Sequence, residues 1–92
     1  MNQLIIVFEF KNETPDKVNH FRDMIRKYEK FAFVTKQACL IWTEQSPASV
    51  RDNLKTHLGT GDKIYVGVTS APSAWMTSVG QEVTDYIKKN LK

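Results

Sequence analysis

Cysteine is almost absent from the sequence: Cys39 is the only one among 92 residues, so no disulfide can form within the chain. Cys39 lies in an apolar run, which is typical of a buried, inert thiol rather than a nucleophile. The chain has only two histidines, so a structural zinc site would have too few soft ligands. These shortages exclude domains stabilised by disulfides or zinc, and the expected location is the cytoplasm.

Long hydrophobic runs are also missing. No stretch approaches the roughly 20 apolar residues of a membrane-spanning helix, and the apolar run at residues 4–8 is too short for a signal peptide. Glycine and proline are few, and no linker, repeat or block of like charge divides the chain. We therefore expect residues 1–92 to form a single domain with no membrane partner.

The charge excess of either sign is small. Thirteen Lys and Arg against ten Asp and Glu give a net charge of +3, which permits an anionic partner without requiring one. Hydrophobic residues make up 41% and charged residues 25% of the chain, which is ordinary for a globular protein. A domain of this size buries only about 60–65% of its unfolded surface, so association with a second copy would add stability.

Two pairs of a capping residue and a proline mark the starts of helices. Thr14 precedes Pro15, and Ser46 precedes Pro47 in the same way, so that a capping hydroxyl is followed by a proline at the first helical position. Apolar residues then recur at helical spacing. These stripes are Val18, Phe21, Ile25 and Tyr28 in the first helix and Val50, Leu54 and Leu58 in the second, which Gly59 is placed to end.

Runs of β-branched and aromatic residues predict four strands, at residues 4–10, 31–35, 38–44 and 63–69. The first is apolar on both faces and is typical of a central strand. The two-residue gap between the second and third predicts an antiparallel hairpin. A last amphipathic helix carries Val79, Val83, Tyr86, Ile87 and Leu91.

The predicted element order, β-α-β-β-α-β-α, belongs to the α+β class. Its first six elements have the order of the ferredoxin-like βαββαβ sandwich, to which a C-terminal helix is added as an appendage. Two helices then cover one face of a four-stranded antiparallel sheet. Ile5 and Val7, and residues such as Phe33 or Trp42, need a second cover, which either a partner subunit or the C-terminal helix would supply.

Several motifs together resemble a known family. They are the strand at 5–9, the aromatic residues Phe31 and Phe33, Trp42, the segments 46–58 and 61–66, Ala74 with Trp75, and the end of the last helix at 85–91. Over nearly the whole chain, this pattern resembles the small SinR-like proteins, relatives of the second CRISPR-associated adaptation protein. The resemblance implies the ferredoxin-like fold and a tendency to form homodimers.

Glu9 is the candidate metal ligand. In nuclease-like members of that wider family a strand-one Asp is linked with metal-dependent cleavage, and the resemblance places Glu9 at this position. Lys11, two residues further on, provides no second carboxylate, although phosphodiester chemistry usually needs several oxygen ligands. Glu9 is therefore either an Mg²⁺ ligand at a dimer cleft or a strand-end charge that is solvated or paired with a lysine.

Four cations are candidate phosphate contacts. Three of them recur every four residues on the first predicted helix, and the fourth lies at the hairpin tip. Because no aromatic residue is interleaved to stack bases, binding through them would carry little sequence information. The alternative is a solvated helix face, since acidic residues interrupt the stripe. The four are Arg22, Arg26, Lys30 and Lys36.

Trp75 and Met76 follow a proline loop, and they belong either to a partner surface or to the core. The favoured function is a small homodimeric binding module without catalytic activity, which engages a protein or a nucleic acid and needs no cofactor. One alternative is an Mg²⁺-dependent endonuclease with Glu9 as metal ligand. Another is a phage- or plasmid-borne inhibitor of a host protein.

Overall fold

The computed structural model describes the backbone of residues 1–70 and 81–91 and the side chains of 1–70 and 83–91. The predicted α+β class and the order of its elements are confirmed. Within the described residues, no helix is both long and apolar enough to cross a membrane. The elements are β1 (Asn2–Glu9), α1 (Pro15–Ile25), β2 (Lys30–Thr35), β3 (Ala38–Thr43), α2 (Pro47–Lys55), β4 (Lys63–Val68) and α3 (Gln81–Asn90).

The four strands form one sheet in the order β2-β3-β1-β4, with every neighbouring pair antiparallel. β1 is central, as its apolar sequence predicts, and it pairs with β3 on one side and β4 on the other. β2 and β3 form the predicted hairpin, with a register shift between Phe33 and Thr35. The arrangement is compatible with the ferredoxin-like class.

Both helix starts are confirmed by their capping bonds. Thr14 Oγ1 accepts from the Lys17 N–H at 3.2 Å, and Ser46 Oγ accepts from the Ser49 N–H at 3.1 Å. The predicted end of the second helix at Gly59 is wrong. α2 ends at Lys55, and the amides of His57 and Leu58 bond to carbonyls three residues back, as in a 3₁₀ turn.

The first face of the sheet is covered by α1 and α2. On this face Phe21 of α1 packs against Phe8 of β1 with ring centroids 4.5 Å apart. The buried core is apolar throughout, which is the main source of stability in a domain of this size. Its members are Leu4, Ile6, Phe8, Phe10, Val18, Phe21, Ile25, Phe33, Cys39, Ile41, Val50 and Leu54.

The second face is partly covered by α3. Trp42 is only 1% exposed, and its ring lies 5.8 Å from that of Tyr86 on α3. Ile87 of α3 is buried in the same cluster, together with Ala32 of β2. The C-terminal helix therefore supplies the second cover for Trp42, and it is an integral layer rather than an appendage. Phe33 lies on the first face and needs no such cover.

Candidate partner-binding surface

An apolar area remains exposed on the second face, over the β1–β4 half of the sheet. Val7 of β1 is paired with Tyr65 of β4, and these side chains are 44% and 65% exposed. The next pair on the same face is Ile5 with Gly67, both half-buried. We call these four residues the open patch. An exposed aromatic beside aliphatic residues is the composition of interface cores.

The Tyr65 ring lies against its own strand, above Gly67. A Cβ added at Gly67 would lie 2.9 Å from Tyr65 Cε1 and 3.0 Å from its Oη, closer than real Cβ atoms approach. A side chain at position 67 would displace the Tyr65 ring, so the glycine is what allows the ring to lie here. The strand backbone covers one side of the ring, so Tyr65 presents a large contact area at a low cost in conformational entropy.

Glu9 lies at the end of the open patch, where it pairs in register with Lys63. The two side chains are exposed, and Lys63 Nζ lies 3.9 Å from Glu9 Oε1. This geometry favours the strand-end charge over the metal ligand. Among the described residues, no group of three or more His, Cys, Asp or Glu could hold a metal ion.

The predicted stripe of cations on one helix face is wrong, because α1 ends before Lys30. Arg26 is the C-cap of α1, and Lys30 is the first residue of β2. Lys30 pairs with Trp42 on the second face, where its Nζ donates to Asn90 Oδ1 at 3.2 Å. Arg22 lies on the first face, so the sheet separates these two cations.

Arg22 and Arg26 both lie over the ring of Phe33. Their guanidinium carbons are 4.1 and 5.2 Å from the ring centroid. Arg22 also donates to the Lys36 carbonyl at 3.0 Å, and Arg26 pairs with Asp23 at 2.6 Å. Both side chains therefore help to cover Phe33, which is nearly buried. Of the four predicted phosphate contacts, Lys36 alone has an exposed side chain without a described partner.

Cys39 is buried, as the sequence predicts, and its Sγ lies 3.2 Å from the Leu40 carbonyl oxygen. Burial raises the pKa of the thiol to about 12. The group is therefore a protonated thiol at neutral pH and unsuited to nucleophilic chemistry.

A buried polar link joins three segments of the second face, and no motif in the sequence predicts it. Gln3 Oε1 accepts from the Trp42 indole, and Gln3 Nε2 donates to Thr69 Oγ1. A glutamine at the start of a strand is ordinarily exposed, and only the alternation of β1 places Gln3 on the face of Ile5 and Val7. Trp75 and Met76, the predicted partner contacts, lie outside the described residues.

No protein-family model matches the chain, and no curated protein matches its sequence. The resemblance to SinR-like proteins therefore stays a prediction.

Proposed function

We propose that the protein is a small homodimeric binding module without catalytic activity, built on a ferredoxin-like domain of the SinR-like type. The observation that carries the proposal is the open patch, with Val7 and Tyr65 exposed side by side on an apolar sheet face. The strand order and the two helices on the first face support the ferredoxin-like assignment. The buried Cys39 and the Glu9–Lys63 pair support a role without catalysis.

A second copy of the chain is the occupant that best fits the open patch. We place the two sheets face to face, with the two-fold axis parallel to the strands and midway between β1 and β4. This rotation lays β1 of one copy over β4 of the other. Each residue of β1 then faces, on the other copy, the β4 residue with which it is paired in its own sheet. Val7 then faces the other copy's Tyr65, and Ile5 faces its Gly67. Glu9 likewise faces Lys63, so size and charge are both complementary.

The dimer's own partner is a protein rather than a nucleic acid in this proposal. Arg22, Arg26 and Lys30 are held by contacts within the chain, so Lys36 alone of the four predicted phosphate contacts has an exposed side chain without a described partner. A pull-down from lysate, with and without nuclease treatment, separates the two classes. Captured proteins that disappear after nuclease treatment would point to nucleic acid instead. An inhibitor of a host protein, which is one of the predicted alternatives, would be one form of this protein-binding function.

Two valines on opposite faces of the sheet provide a matched test of the dimer. Val7 lies in the open patch, whereas Val68 is exposed on the first face, paired with Leu4. We expect the unaltered chain to be a dimer at micromolar concentration in sedimentation velocity and light scattering. Val7→Glu should be monomeric because it buries a charge, and Val68→Glu should stay dimeric. A strict monomer for the unaltered chain would overturn the proposal.

A charge exchange tests the proposed axis. Glu9→Lys places like charges opposite each other in its homodimer, and so does Lys63→Glu, so each chain alone should dimerise weakly. A mixture of the two should form a heterodimer in which every facing pair has opposite charges. Native mass spectrometry of the mixture measures this directly. Equal amounts of homodimer and heterodimer would refute this axis while leaving dimerisation itself intact.

A further inference from the structure

A cleft of about 310 Å³ lies on the first face, between the end of α1 and α2, on the opposite side of the sheet from the open patch. This volume is at the lower end of the range for small-molecule sites. Met24 and Leu54 supply its apolar lining. The remaining lining side chains are polar, so the cleft combines an apolar surface with hydrogen-bonding groups.

The polar side of the cleft is organised by hydrogen bonds within the chain. Asn53 Nδ2 donates to Gln45 Oε1 at 3.0 Å, and Ser49 Oγ donates to the same oxygen at 3.2 Å. Asn53 also hydrogen-bonds with the Tyr28 side chain, whose pKa is raised by burial. Tyr28 is therefore a neutral phenol at physiological pH, and its hydroxyl can donate a hydrogen bond to a ligand.

The formal charge of the lining is positive. Lys27 supplies it, and no carboxylate lies among the described lining residues. Lys27 has no carboxylate within salt-bridge distance in the described part of the chain. Four carboxylates are sequence neighbours of lining residues, and three of them are paired with other cations. Asp23 pairs with Arg26, Asp52 pairs with Arg51 and Lys55, and Glu44 pairs with the N-terminal amine. The fourth, Glu29, is exposed to solvent.

His57, which lines the cleft, contacts a second histidine. Its ring lies 5.3 Å from that of His20 on α1, in an edge-to-face arrangement. This contact joins the segment after α2 to the middle of α1, beside the cleft that His57 lines.

We propose that this cleft binds a small organic anion, a carboxylate or a phosphate monoester on an apolar body about the size of one ring. Lys27 binds the anion, and the Tyr28 hydroxyl donates a hydrogen bond to it. The apolar body packs on Met24 and Leu54. This site is distinct from the dimer surface, and it does not depend on dimerisation.

The first test compares a charged probe with its neutral analogue on the unaltered chain. Benzoate, phenyl phosphate and benzamide are titrated into ¹⁵N-labelled protein, and the amide shifts are followed by NMR. We expect both anions to shift the amides of Lys27, Asn53 and His57. Benzamide should bind about tenfold more weakly, as the loss of one charged hydrogen bond predicts. The better of the two anions identifies the carboxylate or the phosphate ester as the preferred head group.

The second test removes the cation. Lys27→Gln should weaken binding of the better anion about tenfold, whereas Lys88→Gln on α3 makes the same change of charge on an exposed site and should leave it unchanged. Equal binding of benzoate and benzamide, unchanged affinity in Lys27→Gln, or shifts confined to other surfaces would overturn the proposal. So would the absence of shifts with both anions at millimolar concentration. If Lys27→Gln does not fold, the comparison of the two anions with benzamide on the unaltered chain still tests the proposal.

Discussion

The indole Nε1 of Trp42 donates a hydrogen bond to Oε1 of Gln3 at 3.1 Å, and these two residues are only 1% and 2% exposed. The Gln3 amide in turn donates to Thr69 Oγ1 at 2.8 Å, and the Thr69 N–H donates to the Gln3 carbonyl at 2.9 Å. Gln3 therefore joins β1, β3 and the residue after β4. A buried polar group is tolerated only when its partners are in place, so this link helps to fix the register of the sheet.

Gln3→Leu removes both side-chain bonds and leaves the buried Trp42 N–H without its partner. We expect it to reduce the free energy of unfolding by about 1–3 kcal/mol, the usual cost of an unsatisfied buried donor. Urea denaturation followed by circular dichroism measures the change. Gln37→Leu is the matched control, because Gln37 also makes a side-chain bond, to Glu13, but at an exposed site. Similar losses in both variants would contradict a special role for Gln3.

Arg22→Ala should be more destabilising than Arg26→Ala. Arg22 lies closer to the Phe33 ring and also holds the Lys36 carbonyl, whereas Arg26 makes an exposed pair with Asp23. We expect a loss of about 1–2 kcal/mol for Arg22→Ala and under about 1 kcal/mol for Arg26→Ala. Thermal and urea unfolding of the two variants provide the comparison. Equal, negligible effects would make both arginines plain surface residues.

The Cys39 thiol should be nearly unreactive in the folded protein. At pH 8 a thiol with a pKa of about 12 is ionised to about 10⁻⁴, whereas an ordinary thiol with a pKa of about 8.5 is ionised to about 0.2. Alkylation by iodoacetamide should therefore be on the order of 10³-fold slower in native protein than in urea. Rapid alkylation without urea would contradict the burial.

The raised pKa of Cys39 also determines how the stability of the fold changes with pH. The folded thiol holds its proton to higher pH than the unfolded thiol does, so the stability that it contributes is present below a pH of about 8.5. That contribution is lost as the pH rises through the folded pKa of about 12. Relative to Cys39→Ala, the unaltered chain should lose stability in this alkaline window.

Asp62 joins two turns through its carboxylate. Oδ2 accepts from the Gly59 N–H at 2.7 Å, and Oδ1 accepts from the Lys11 N–H at 2.9 Å. These bonds hold the pKa of Asp62 below its usual range, so the stability that it contributes is present above a pH of about 3.9. It is lost as the pH falls through the lowered pKa. Asp62→Asn should lower the melting temperature at pH 7, and the difference should shrink on acidification. Glu29→Gln, at an exposed site, should have little effect at either pH.

Glu9→Gln tests the nuclease alternative. Glu9 is paired with Lys63 and has no described cluster of further ligands, so we expect no cleavage of RNA or DNA with Mg²⁺ or Mn²⁺. Glu44→Gln is the control, since Glu44 is an exposed carboxylate that pairs with the N-terminal amine. Metal-dependent cleavage that vanishes in Glu9→Gln and persists in Glu44→Gln would restore the nuclease.

The elements that the sequence predicts best depend on local chemistry. Thr14 and Ser46 bond to amides three residues away, so their capping role can be predicted from a short window. The end of α1 cannot be predicted from a short window in this way. Lys30 continues the helical spacing of the cations in the sequence, but in the structure it pairs with Trp42 in the sheet. Here tertiary pairing outweighs local preference, and the predicted stripe of cations is lost with it.

The candidate sites were predicted less completely for the same reason. The exposure of Val7 depends on how much of the second face α3 covers, and the sequence left both a partner subunit and that helix open. The burial of Gln3 depends on Trp42, which is 39 positions away in the chain. The cleft near Lys27 exists only because two helices meet there, and periodicity within either helix carries no sign of it.

The central position of β1 has a consequence for synthesis of the protein on the ribosome. β1 is made first, but its partners β3 and β4 follow later, and β4 begins only at Lys63. At about 5–20 residues per second, the apolar strand waits roughly 3–12 s for its second neighbour. During that time its backbone groups are free to pair with other nascent chains. Cotranslational aggregation, and its relief by chaperones that hold extended apolar segments, should therefore depend on the sequence of β1 more than on any later strand.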